Sequence, residues 1–214
     1  MRFIASLIKK GSNVADIGTD HAYLPIYLIE HNLAKKVVAV DINEGPLHKA
    51  ANNIKKNKNI MVLQSDGLEK LEPSDFDTLV IAGMGGETIA GILDSEKINS
   101  EHILILQPSS KTERLLDFLN KNGFSVLSQQ IIKSCGRYYP VITSIKSESK
   151  PSDLPLFNII AGLDKDKNRE YLLKKLSVIK KQASSIENIE RKASEHKKLL
   201  TTIIELKKVL NIAD

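Results

Sequence analysis

Five short apolar runs set the terms for the first half of the chain: NVADIG (13–18), KVVAVD (36–41), IMVLQSD (60–66), DTLVIAG (77–83) and HILILQP (102–108). Their hydrophobicity is continuous rather than alternating, which is the pattern of strands covered on both faces of a parallel sheet. Helix-compatible stretches at 25–34, 46–57, 86–94 and 111–122 separate them. Pro25 and Pro46 stand at two expected helix starts, where a missing N–H costs nothing. Repeated β-α order of this kind predicts an α/β, doubly wound sheet with right-handed crossovers.

The pattern then changes. FSVLSQQIIKSC (124–135) and YYPVITSIKS (138–147) are strand-like runs with no helix between them, joined at Gly136, so they predict an antiparallel hairpin. Five parallel strands followed by a hairpin describe a Rossmann-like class I methyltransferase sheet more closely than a dehydrogenase sheet. From residue 168 the periodicity is helical. Leu172, Leu176, Ile179, Ala183 and Ile186 step by four and three in turn, a heptad seam. Its continuation lands on Glu190 and Lys197, whereas apolar residues resume at Ile189, Ala193, Leu200, Ile203 and Leu210. The seam therefore breaks between Ser184 and Asn188, and two helices folding into an antiparallel coiled-coil hairpin are expected. One continuous helix in an intermolecular coil, which would make a dimer, is the competing reading; the hairpin makes the chain a monomer. The division expected is a methyltransferase-like domain over 1–150, then a junction with Pro151, Pro155 and Gly162 and the hairpin over 151–214.

Charge separates the same two regions. Residues 1–150 carry 18 basic and 17 acidic side chains, whereas 151–214 carry 13 and 9. A basic excess favours a polyanionic partner such as RNA through counterion release. Candidate contacts are Lys9 and Lys10 and the pairs Lys174-Lys175, Lys180-Lys181, Lys197-Lys198 and Lys207-Lys208, which equally form the solvated face of a coil. No run approaches the roughly 18 apolar residues of a membrane span. The opening MRFIASLIKKG has an apolar core too short for a signal peptide, and Phe3, Ile4, Leu7 and Ile8 instead share one helical face. The lone Cys135 excludes an internal disulfide and suits the cytoplasm. His31, His48, His102 and His196 have no partners at metal-ligand spacing, so no metal is expected.

In a sheet of this type small molecules bind beyond the carboxyl ends of the strands. Those ends are Asp16-Ile17-Gly18, Asp41, Asp66-Gly67 and Ala82-Gly83. A dinucleotide site would show G-x-G-x-x-G, but Asp20 occupies the place of the second glycine, where a carboxylate repels a diphosphate. S-adenosylmethionine (SAM) has no phosphate and carries an ammonium and a sulfonium, so acidic side chains around one close-approach glycine suit it. Asp41 can accept both ribose hydroxyls, and Asp66 can accept from the adenine amino group. Singly, each aspartate is also an ordinary turn former. The turn Gly83-Met84-Gly85-Gly86 leaves room for a base or merely makes a tight strand-to-helix turn; it lacks the lysine of a phosphate loop.

VADIGTDHAYLP (14–25), NEGPL (43–47), IAGMGGETI (81–89) and LILQP (104–108) together resemble the bacterial tRNA (adenine-22)-N1-methyltransferase family. The resemblance covers residues 1 to about 147 through motifs and the tail through architecture. It implies methyl transfer from SAM to N1 of adenine 22 in the D arm of tRNA, with Asp16, Gly18, Asp20, His21, Asp41, Asn43, Asp66, Gly67, Ala82 and Gly83 on the cofactor. Met84, Gly85 and Gly86 would line the entrance for the base, with Arg137 and Tyr138 as further substrate contacts. At SCGRYYP (134–140) the chain departs from the more acidic hairpin turn expected of the family. Attack by the in-plane N1 lone pair needs alignment and exclusion of water rather than a covalent intermediate, and a base hidden in stacked RNA would be turned outward first. Asp20 and His21 are the candidate proton acceptors, and Tyr23 the ring that stacks on the base. A SAM-dependent enzyme acting on another RNA position, a small molecule or a protein is the alternative; a non-catalytic RNA-binding scaffold is a further one.

Overall fold

A computed structural model describes residues 1–54, 57–148, 151–152 and 156–212. Its elements run α1 (Arg2–Leu7), β1 (Ser12–Ile17), α2 (Tyr23–Glu30), β2 (Ala34–Asp41), α3 (Glu44–Ile54), β3 (Ile60–Gln64), β4 (Thr78–Ala82), α4 (Gly86–Leu93), β5 (Ile103–Gln107) and α5 (Thr112–Lys121). They continue with β6 (Phe124–Ser134), β7 (Arg137–Lys146), α6 (Phe157–Ile160), α7 (Arg169–Ile186) and α8 (Ala193–Leu210). The strands form one seven-stranded sheet in the order β3-β2-β1-β4-β5-β7-β6. All neighbours from β3 to β5 are parallel, β7 runs antiparallel to β5, and β6 antiparallel to β7. The order reverses between β1 and β4, so the carboxyl ends of those two strands open a crevice.

Continuous apolar strands feed two cores at once, because successive side chains point to opposite faces. Ala15, Ile17, Leu79, Ile81, Leu104 and Leu106 pack under Ile89 and Leu93 of α4 and Leu115, Leu116 and Leu119 of α5. Their neighbours Val14, Val80 and Ile105 pack on the other face, under Ile4, Ala5 and Leu28 of α1 and α2. Each large side chain so buried contributes about 1.5–3 kcal/mol.

Two helices start earlier than their prolines suggest. Tyr23 begins α2 and Glu44 begins α3, each two residues before Pro25 or Pro46. The first N–H groups of a helix have no intrahelical acceptor, so proline is tolerated anywhere in the first turn. β3 ends at Gln64, short of Asp66. Residues 55–56 of the expected helical stretch 46–57, and Pro155 of the junction, lie outside the described residues. Within the junction, Gln129 N donates to Gly162 O at 2.8 Å and Gln129 bridges Leu163. This lays the chain along the outer edge of β6, covering an edge that would otherwise be open to pairing.

Helix α7 buries Tyr171, Leu172, Leu176, Ile179, Ala183 and Ile186, the whole of the expected seam. Helix α8 returns antiparallel: Arg169 Nη1, at the start of α7, donates to Leu210 O, at the end of α8, at 2.6 Å. The expected seam of α8 is corrected. Ala193 and Leu200 are exposed, and the residues packed against α7 are Leu199, Ile203, Leu206 and Leu210. The doublets Leu199-Leu200 and Ile203-Ile204 offer two stripes about 100° apart, and α7 selects the one that repeats its own four-three step.

Candidate active site

The turn after β1 is tied to β2, with Gly18 N and Thr19 N both donating to Val40 O, at 2.8 and 2.9 Å. Gly18 has φ +75°, and a Cβ there would overlap Met84 Cε. His21 and Ala22 follow with φ of 57° and 56°. Two successive non-glycine residues in the left-handed region cost about 1–2 kcal/mol each, and the surroundings over-determine them. Ala22 is fully buried among Ala39, Ala50, Ile54 and Ile60, and Asn53 Nδ2 donates to His21 O at 3.0 Å. This strained turn leaves the Asp20 carboxylate in solvent. It sets His21 Nε2 3.3 Å from Asp20 Oδ1 and stacks the His21 ring on Tyr23 at 5.3 Å. The three expected catalytic residues therefore form one cluster at the strand ends.

Asp16 is buried, and burial pushes its carboxyl up to about 6, while the neighbouring Thr19 hydroxyl pulls it part of the way back. That hydroxyl is itself buried and makes no hydrogen bond of ordinary geometry. One oxygen of Asp41 accepts from Asn43 N at 2.8 Å, which starts α3; the other has no partner among the described residues. Asp66 is exposed, and beside it a cavity of about 600 Å³ runs between Gly67-Leu68 and Thr88, Gly91 and Ile92 of α4. No Lys or Arg lies between residues 16 and 34. Carboxylates without basic partners among the described residues, at the ends of β1, β2 and β3 beside the positive-φ turn at Gly18, suit a ligand that is a cation with hydroxyl and amino groups. SAM is such a ligand.

Ala82 ends β4, and Gly83 N continues its ladder to Gln107 O at 3.0 Å. The two readings of the glycine turn divide between its residues. A Cβ at Gly86 would overlap the Lys111 carbonyl, so that glycine serves close packing, whereas Gly83 has open space around it. Arg137 and Tyr138 sit elsewhere, where β7 meets α7. Lys174 Nζ lies 4.9 Å from the centre of the Tyr138 ring, and Tyr171 meets it edge-on at 5.6 Å. The Glu170 carboxylate accepts from the Tyr138 hydroxyl, raising that phenol.

The sequence reading missed Thr19, Asn53, Thr88 and Ile92, and also Ile42, an apolar side chain 54% exposed directly after Asp41. Ile42 alone left a trace in the pattern, an apolar residue just past a strand end. Among the histidines, His102 is a core group: Asn99 N donates to its Nδ1 at 3.1 Å and its Nε2 bonds Pro73 O at 2.9 Å. Among the described residues no three His, Cys, Asp or Glu are placed to hold a metal, and no helix is long and apolar enough to cross a membrane.

Residues 1–142 match a family model described as a methyltransferase domain. The tRNA (adenine(22)-N(1))-methyltransferase of Bacillus subtilis is 31% identical over 204 residues, 90% of this chain and 85% of that protein. The crystal structure of the B. subtilis M1A22 tRNA methyltransferase superposes with a TM-score of 0.87 at 30% identity, covering 98% of this chain and 96% of the other. A Streptococcus pneumoniae protein solved in complex with S-adenosyl-L-methionine superposes with a TM-score of 0.79 at 29% identity, covering 98% and 97%.

Proposed function

Because the chain belongs to the tRNA (adenine(22)-N(1))-methyltransferase family, we infer that it transfers a methyl group from SAM to N1 of adenine 22 in tRNA. The observation that carries this is the set of carboxylates at successive strand ends, Asp16, Asp41 and Asp66, around the close-approach Gly18. Bound there, SAM supplies an electrophilic methyl group. Asp16 faces the ammonium end through the turn, the free oxygen of Asp41 accepts from the ribose, and Asp66 accepts from the adenine amino group. Asp20, His21, Asn43, Gly67, Ala82 and Gly83 complete the contacts.

The open space at Gly83, bordered by Met84 and Gly85, admits the target adenine with its N1 directed at the strand ends, and holding it there supplies the alignment on which the rate depends. Tyr23, 58% exposed, offers a ring face at the rim. Methylation leaves the adenine cationic; the Asp20 carboxylate stands to offset that charge, and His21 Nε2 beside it to take a proton from the exocyclic amine. The basic hairpin holds the tRNA backbone. The enzyme works as a monomer in the cytoplasm, its α7 seam filled by α8 of the same chain. Incubation with unmodified tRNA and labelled SAM tests the function. Label in the tRNA and a reverse-transcription stop at position 22 are expected. A stop elsewhere, or none, overturns it.

A further inference from the structure

We propose that the groove between the β5–α5 turn and α7 seats a backbone phosphate of the tRNA strand carrying the target adenine, and that Arg137 and Lys174 bind it. This rests on the tRNA methyltransferase function inferred above. The groove holds about 350 Å³ between residues 108–113, the start of β7 and the outer face of α7. It adjoins the entrance for the base: Ser109 N donates to Met84 O and Gly86 N to Ser110 O, each at 2.8 Å. A strand whose adenine lies at Gly83 therefore passes along this groove.

Four cations line it: Lys111, Arg137, Lys174 and Lys175. Two are already committed, Lys111 to Glu87 and Lys175 to Glu113. Arg137 and Lys174 have no carboxylate partner among the described residues. Glu170, whose charge reaches Lys174, is itself bonded to Lys133 at 2.6 Å and to the Tyr138 hydroxyl. An ion pair within the chain leaves little field for an incoming anion, so the two unpaired cations carry the attraction. The ligand is a phosphate rather than a base because the aromatic faces are taken: Lys174 covers the Tyr138 ring and Tyr171 is buried. What faces the groove is a guanidinium, an ammonium and the exposed Ser109 and Ser110 hydroxyls, the donors that phosphate oxygens accept from.

The test is binding of unmodified tRNA by the full chain across a salt series. R137Q/K174Q is expected to lower the slope of log K against log salt by about two and to weaken binding roughly tenfold or more near physiological salt. SAH affinity and the thermal midpoint should stay unchanged. E113Q/K175Q removes one charge of each sign from the same groove and is expected to leave the slope as it was. An unchanged slope in R137Q/K174Q, or an equal loss in E113Q/K175Q, overturns the proposal. If the double variant does not fold, R137Q and K174Q singly are each expected to lower the slope by about one, and an unchanged slope in both overturns it. A wild-type enzyme that methylates another nucleotide would defeat the function above yet leave the slope readable, so the two failures are separable.

Discussion

The strand ends and the β7–α7 junction are both crowded with charge, and they handle it in opposite ways. At the strand ends the carboxylates of Asp16, Asp41 and Asp66 have no basic partner among the described residues. At the junction most charges are matched within the chain, Lys111 with Glu87, Lys133 with Glu170 and Lys175 with Glu113. Matched charges position elements, here α7 against β6 through Lys133 and Glu170 and against α5 through Lys175 and Glu113. Charges left without a partner are those kept for something outside the chain, a cation at the strand ends and an anion at Arg137 and Lys174.

The largest effect expected is at the strand ends. Replacing Asp41 and Asp66 together by alanine removes two charged hydrogen bonds to the ligand, each worth about 1.5–3 kcal/mol, so SAH affinity measured by calorimetry should fall a hundredfold or more, while the protein stays folded and its thermal midpoint drops only by the loss of the Asp41 bond to Asn43 N. An affinity within tenfold of wild type would mean that these carboxylates are turn formers only.

The hairpin offers a sharper contrast within one helix. Leu206→Ala should cost about 2–5 kcal/mol in chemical denaturation, whereas Leu200→Ala, on the exposed stripe, should cost under about 0.5 kcal/mol. Equal losses would restore the other register for α8.

Asp16 links the strand ends to pH. Its carboxyl is raised from 3.8 to about 6, so between those values the unfolded chain has lost a proton that the folded chain keeps. Stability from this group is therefore greatest below the lower value and falls as pH rises, by about 3 kcal/mol in all. Asp16→Asn should abolish that fall, giving a higher thermal midpoint than wild type above pH 6 despite losing SAH binding. In the wild type SAH affinity should drop by up to about tenfold per pH unit below 6, since the ammonium is met by the ionised form. A midpoint for Asp16→Asn no higher than wild type at pH 8 would show that burial does not penalise this charge. Smallest of all is the expected effect of E113Q/K175Q on tRNA binding, because that pair is already neutral as a unit.

Much of the donor end was legible because it is written locally. Asp16, Asp41 and Asp66 each close a run of apolar β-branched residues, and a parallel sheet delivers all its strand ends to one edge. The strained turn was not legible. Nothing in His21-Ala22 announces a left-handed backbone, since what holds it is the buried fit of Ala22 against Ala39 and Ala50 and a hydrogen bond from Asn53, 32 residues away. Tyr138 and Arg137 stand as substrate contacts on the resemblance alone, in the segment where the chain departs from the family's pattern, and the structure divides them: the tyrosine is engaged by Lys174 and Glu170 at the junction, whereas the arginine has no carboxylate partner among the described residues.

By itself the sequence determined the five-strand alternation, the hairpin after it, the α7 seam and the acidic strand ends, because period and residue type at neighbouring positions decide these. Tertiary structure alone decided which stripe of α8 is buried and which cations are left unpaired. Both depend on partners far along the chain, as with Lys175 and Glu113, 62 residues apart, and only packing brings such groups within reach of each other.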